Sequence, residues 1–195
     1  MYGFVRGLCK FLVWIAFRFH VEELPEIPEG KLILCANHTN IVDPIVLIAS
    51  FPGRIIFVAK KELESMPILS RIMKKIGTIF VDRSANDIDA IRQMSNTLKA
   101  DKVLGIFPEG HRYKTVDPSH IKSGIGFLAM QAGSDILCAT IDANYRFRGN
   151  VSVQYHPILS FDAYRKLPKR EARMVITRDV FNTIFHTEYS TEDFS

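Results

Sequence analysis

Short apolar, β-rich runs recur along this chain with helix-patterned segments between them: Leu32–Ala36, Arg54–Lys60, Gly77–Asp82, Val103–Phe107, Ile136–Ile141 and Val151–Tyr155. This alternation constrains the fold more than any other feature. A strand that is apolar on both faces needs a sheet covered on both sides, and the intervening helices supply the cover. At 195 residues the chain is long enough for one sizeable core and short for two. The expectation is therefore an α/β fold: a single domain with a central mixed sheet flanked by helices. One helix is expected to begin at Ser84, with Asp87 three residues on as in a capping box, and to carry Ile88, Ile91 and Leu98 on one face. A second runs from Ser123 to Ala132 and ends at Gly133. A third runs from near Pro168 to about His186, with Val175, Ile176, Val180 and Ile184 as its buried stripe.

Ahead of the Pro-rich connector Leu24–Pro28, residues 1–22 form a separate region from 23–195. On a helical wheel Phe4, Leu8, Phe11, Leu12, Ile15 and Phe19 fall on one arc roughly 100° wide, which predicts an amphipathic helix. Val13, Trp14 and Phe17 accompany Arg6 and Lys10 on the opposite side, so a second apolar surface also needs cover. A membrane interface would accept both faces, with basic side chains near anionic phosphates. A core helix or a dimer contact is the alternative. The longest unbroken apolar run, Phe11–Phe17, is far short of the roughly 20 residues that span a bilayer. Arg18 follows that run instead of preceding it, which argues against a cleavable signal.

The formal charge of +4 and the pI near 9.0 favour an anionic partner without choosing among a phosphorylated substrate, an acidic lipid surface and a nucleic acid. A nucleic-acid reader would need an aromatic-basic recognition strand or a zinc module, and neither is visible. Cys9, Cys35 and Cys138 lack metal or redox spacing and read as reduced core thiols of a cytosolic protein. No metal site or nucleotide loop is expected.

Chemistry gathers where strands end. Asn37-His38-Thr39-Asn40-Ile41-Val42-Asp43-Pro44 leaves one apolar run, and Asp43 before Pro44 fits a helix N-cap. A turn that doubles back can set the Asp43 carboxylate against His38, fixing the tautomer and leaving the other ring nitrogen to take a proton from an alcohol. Spacing alone is equally met by a surface histidine beside an ordinary cap, and that plainer reading is the stronger one at this point. Phe107-Pro108-Glu109-Gly110-His111-Arg112 leaves another run, with Gly110 permitting a close turn and Arg112 offering a planar fork for phosphate. Lys60, Lys61 and Arg83 stand at two further strand ends and could complete a cationic pocket for a phosphomonoester. Each such charge is commonly just solvated. Their recurrence at four strand ends is what points to one site.

These blocks resemble the glycerolipid acyltransferases, most closely the 1-acylglycerol-3-phosphate (lysophosphatidate) members. The resemblance runs from about Pro28 to Ile141 and rests on four motifs in the family's order. They are His-x-x-x-x-Asp at His38–Asp43, Ala-Lys-Lys-Glu-Leu at Ala59–Leu63 with Pro67, Gly-x-Ile-Phe-Val-Asp-Arg ending at Arg83, and Phe-Pro-Glu-Gly-x-Arg ending at Arg112. The resemblance implies an acyltransferase domain at 23–195 and a membrane-associating helix at 1–22. It makes His38 the general base, Asp43 its orienting partner, and Lys60, Arg83 and Arg112 the ligands of the acceptor phosphate. Glu109 would shape that site and Gly110 permit its turn. Lys122 with Gly124 looks like the basic-glycine step of relatives. It implies phospholipid biosynthesis by transfer of a fatty acyl group from a thioester of coenzyme A or acyl carrier protein, with no cofactor. The chain would act as a peripheral or monotopic protein on the cytoplasmic face of an anionic membrane, without nucleic acid. The acceptor would be 1-acylglycerol 3-phosphate; glycerol 3-phosphate, another lysolipid, or a non-catalytic lipid-binding role remain alternatives. Three positions depart from the pattern: His111, where relatives carry Thr or another small residue, and Asp135 and Cys138, where prolines are usual.

Overall fold

Leu32 to Ala36 are all fully shielded from solvent, as a continuously apolar strand inside a covered sheet must be. This strand, β2 (Leu32–Ala36), is near the middle of a seven-stranded sheet. The structure, a computed structural model, describes residues 2–22, 24–82, 87–113, 115–121 and 124–194. The remaining strands are β1 (Arg18–Val21), β3 (Ile55–Lys60), β4 (Ile79–Val81), β5 (Val103–Ile106), β6 (Asp135–Ala143) and β7 (Asn150–Tyr155), in the order β1-β7-β6-β2-β5-β3-β4. From β6 to β4 every neighbouring pair is parallel; β7 runs antiparallel to β6, and β1 runs parallel to β7. The sheet is therefore mixed, and the C-terminal ends of β2, β3, β4, β5 and β6 share one edge.

Alternate side chains of β2 feed two cores. Ile33 and Cys35 pack with α4 (Ile88–Lys99), α5 (Gly124–Ala132) and α6 (Lys169–Phe185). Leu32, Leu34 and Ala36 pack with α1 (Tyr2–Ala16), α2 (Asp43–Ser50) and Ile76, the last residue of α3 (Pro67–Ile76). Helices α5 and α6 fall where the sequence places them. Gly133 closes α5 at φ +57°, and Ile176, Val180 and Ile184 are fully buried.

Three local expectations change. First, α4 is capped by Asp87, whose carboxylate accepts from the Ala90 N–H at 2.9 Å; Ser84 lies outside the described residues. With the helix starting there, Ala90, Met94 and Leu98 face the core, and Ile88 is 67% exposed instead of buried. Second, Asp43 is the first residue of α2 and not its cap, because Val42 occupies the cap position. Third, the N-terminal helix stops at Ala16, and Phe19 belongs to β1, paired with Val151. The unpaired edge of β7 supplies hydrogen-bond partners that a longer helix would forgo.

Helix α1 uses both of its apolar sides. Cys9 and Val13 are buried against α2 and the sheet, while Phe4, Leu8, Phe11, Leu12 and Ile15 point outward. Residues 2–21 thus hold part of the core and an edge strand as well as an outward stripe. Among the described residues, no helix is long and apolar enough to cross a membrane.

Candidate active site

Two strand exits build the site. As β2 ends, Asn37 turns its amide onto β6: its side-chain oxygen accepts from the Ile141 N–H at 2.7 Å and its amide donates to the Ile141 carbonyl at 2.9 Å. This substitutes for a ladder pair and fixes where the chain leaves the sheet. At the end of β5, Phe107 to Gly110 forms a tight turn, with the Gly110 N–H donating to the Phe107 carbonyl at 3.0 Å and Gly110 at φ +72°. That turn delivers Glu109, 2% exposed, to accept from the His38 N–H at 3.1 Å. The Tyr113 N–H donates to the His38 carbonyl at 3.2 Å, so the His38 backbone is held on both sides by the β5 loop.

Asp43 is fully buried, with four donors aimed at its carboxylate. Oδ2 receives the Thr39 and Asn40 N–H groups, each at 2.7 Å, and His38 Nδ1 at 2.9 Å; Oδ1 receives the Tyr145 hydroxyl. A carboxylate can only accept, so this geometry assigns the imidazole proton to Nδ1 and leaves the lone pair on Nε2. The His38 side chain keeps 17% exposure, which leaves its outer edge open to a small reacting group. Phe107 stacks on the imidazole, with centroids 4.2 Å apart. Burial, and then the bond to Asp43, push the Tyr145 phenol well above its ordinary range, so it stays a hydrogen-bond donor. Burial also raises the Glu109 carboxyl, opposed by the His38 N–H and by His120.

The remaining expected residues are distributed as follows. Lys60 ends β3 on the same sheet edge, half-exposed and paired with Glu62 at 2.7 Å. Arg112 is exposed on the loop that carries Glu109. Arg83 and Lys122 lie outside the described residues, and Gly124 begins α5. Two of the three departures are remote from His38. Asp135 starts β6 at the opposite sheet edge, where it accepts from the Phe161 N–H at 2.8 Å, and Cys138 is buried mid-strand. His111 is exposed beside Tyr113.

The sequence reading did not identify Tyr145, Phe107 or Asn37 as contributors. Asn37 is adjacent to His38, and its polar side chain at the end of an apolar run is a usable signal. Tyr145 lies 102 residues from Asp43, with no local pattern to mark it. Burial pushes the Cys35 and Cys138 thiols up, and their place inside strands keeps them from acting as thiolate nucleophiles.

The acyltransferase family model matches residues 18–142. A 1-acyl-sn-glycerol-3-phosphate acyltransferase of Borreliella burgdorferi is 28% identical over 182 residues, covering 83% of this chain and 71% of the relative. One from Streptococcus pneumoniae is 31% identical over 156 residues, covering 77% and 58%. The crystal structure of the 1-acyl-sn-glycerophosphate (LPA) acyltransferase from Thermotoga maritima superposes with a TM-score of 0.69 at 21% identity, covering 97% of this chain and 81% of that one. This chain therefore spans 58% to 71% of the length of the two curated relatives.

Proposed function

We propose that this chain, which belongs to the acyltransferase family, moves a fatty acyl group from a thioester of coenzyme A or acyl carrier protein to the free hydroxyl of 1-acylglycerol 3-phosphate, giving phosphatidate. The observation that carries the reading is the 2.9 Å contact between His38 Nδ1 and the buried Asp43 carboxylate, with Nε2 left as an acceptor. In the proposed step Nε2 takes the hydroxyl proton as the alcohol oxygen attacks the thioester carbonyl. Asp43 stabilises the imidazolium that forms. The tetrahedral intermediate collapses with loss of the C–S bond, and the imidazolium returns its proton to the departing thiolate. No acyl-enzyme and no cofactor enter this sequence.

Acceptor selection falls to the cations at the strand ends. Arg112, Arg83 and Lys60 would bind the phosphomonoester, with Lys60 exchanging Glu62 for it. Glu109 and Gly110 hold the loop that presents Arg112. The relatives' names support the lysophosphatidate acceptor. The outward stripe of α1 and the formal charge of +4 support a peripheral place on an anionic membrane surface, and the free buried cysteines fit its cytoplasmic face. The deciding experiment is a panel of acceptors (1-acylglycerol 3-phosphate, glycerol 3-phosphate and a lysophosphatidylcholine) offered with labelled acyl-CoA and acyl carrier protein donors. Thiol release without acyl transfer to any of them would reject the assignment.

A further inference from the structure

Helix α3 carries a second outward stripe that the active site does not use. Ile68 is 75% exposed and Ile72 45%, with Met66 just ahead at 49%. At 100° per residue Arg71, Lys75, Ile68 and Ile72 share one arc of about 100°. Ser70 and Ile76 turn inward. Two isoleucines with two cations along one side of them, on one solvent-facing arc, is poor packing for a water-facing helix. It suits a surface with apolar depth and negative charge at its rim.

The placement of α3 adds the second argument. Arg54 joins the far ends of α1 and α3: its guanidinium lies 5.7 Å from the Tyr2 ring and donates to the Ile76 carbonyl at 3.1 Å. Cys9, Val13 and Ile76 belong to the same core, so both helices look outward from one side of the sheet. Their other ends reach the catalytic edge. The Ala16 carbonyl accepts from the Arg148 N–H, and Phe17 meets Tyr145, the partner of Asp43, at 5.5 Å. Helix α3 starts just after β3 and Lys60, separated from them by the short 3-10 segment Lys61–Ser65.

We propose that α3 is a second membrane-contact element, whose Ile68 and Ile72 enter the acyl boundary of an anionic bilayer while Arg71 and Lys75 meet its phosphates. This rests on the membrane reading of α1 and extends it. One helix on a bilayer leaves the domain free to roll about the helix axis. Two, flanking the strand ends, hold the catalytic edge toward the lipid.

The test uses the full chain and vesicles of phosphatidylcholine with phosphatidylglycerol. Ile68→Ser/Ile72→Ser should weaken sedimentation with these vesicles by about tenfold or more, from the apolar area lost. It should lower activity on vesicle-embedded acceptor and leave activity on a monomeric short-chain acceptor unchanged. Phe11→Ser/Leu12→Ser serves as the α1 arm. In Trp14→Phe/Ile72→Trp, the tryptophan placed at 72 should be quenched by doxyl-labelled lipid. Loss of binding in the α1 arm alone, with no quenching at 72, overturns the α3 proposal and keeps the membrane reading. Failure of the unaltered chain to bind any vesicle overturns both. Self-association that depends on Ile68 and Ile72, seen by ultracentrifugation without lipid, assigns the face to a second copy and overturns the proposal.

Discussion

Phe57 lies parallel to Phe107, at 9° and 5.9 Å, and Phe107 in turn stacks on His38. The imidazole is therefore backed by a column of rings that begins in the interior of β3. At the foot of that column is Gly105, where an added Cβ would come within 2.5 Å of Ile55 Cγ2 and 2.8 Å of the Phe57 ring. The absence of a side chain on β5 is what gives Phe57 its room.

Gly105→Ala should push Phe57 into Phe107 and tilt the imidazole. Overpacking of this kind costs about 1–3 kcal/mol of stability, read from denaturant midpoints. A fall in kcat with little change in acceptor KM would mark a positioning effect. A stability loss with unchanged kcat would mean that the column does not orient His38.

His38→Ala should leave a folded protein whose turnover is lower by roughly 10²–10⁴-fold. Asp43→Asn should lose a large part of that factor, because an amide facing Nδ1 no longer fixes the tautomer. Near-normal turnover in either folded variant would sink the proposed mechanism.

Tyr145→Phe leaves Asp43 Oδ1 without the hydroxyl that now donates to it. A hydrogen bond to a charged group is worth about 1.5–3 kcal/mol, so activity or stability should fall by roughly ten- to a hundredfold in equilibrium or rate terms. On turnover the loss should be smaller than that of Asp43→Asn, since the Nδ1 contact survives. A loss as large as that of Asp43→Asn would give Tyr145 a direct chemical part instead.

Arg112→Ala should raise the KM for a phosphate-bearing acceptor by roughly ten- to a hundredfold and that of the thioester donor much less. Lys60→Met should act in the same direction and more weakly, because Lys60 already has Glu62 as a partner. With an acceptor that lacks the phosphate, mutant and unaltered protein should converge. Equal losses on both acceptors would remove the clamp.

Stability should also depend on His156, which is 7% exposed. The Thr140 hydroxyl donates to the Ile184 carbonyl at 2.6 Å, so its oxygen accepts a hydrogen bond from His156 Nε2–H at 2.8 Å. Burial, with His186 nearby, lowers the affinity of His156 for a further proton below the ordinary histidine value, although Glu22 pulls the other way. The unfolded chain then binds more protons than the folded one below about pH 6.5. The contribution of His156 is present above that pH and is lost as pH falls through the lowered folded value. Melting temperatures across this window should drop with acid in the unaltered protein and less in His156→Gln. Parallel curves would assign the acid sensitivity elsewhere.

The parallel strands were legible because each is apolar on both faces and ends abruptly in polar residues. The pairing of His38 with Asp43 was less so. A separation of five matches no face of a helix or strand, and only the recurrence of blocks at four strand ends raised it above an ordinary turn. Strand β1 was hidden because Phe19 continues the helical arc of Phe4 to Ile15, and nothing local reveals that Val151, 132 positions away, pairs with it. Tyr145 was hidden for the same reason of distance. Ile88 was misplaced because the buried arc is centred on Ala90, Met94 and Leu98, and Ile88, the first residue of the helix, falls off that arc on the solvent side.

The bidentate grip of Asn37 on Ile141 has a practical consequence for redesign. With Asn37 tied to β6 and His38 tied to the loop after β5, the proposed general base is held on both flanks, and any change of length in this turn would misalign the imidazole. The connection from Ala143 to Asn150 is held at Tyr145 by Asp43 and at Arg148, φ +60°, by its N–H bond to the Ala16 carbonyl, while the side chains of Arg146 and Phe147 are exposed near the same edge. A library aimed at new acceptors would do best to randomise residues 146 and 147 and leave the His38 turn and Arg148 untouched.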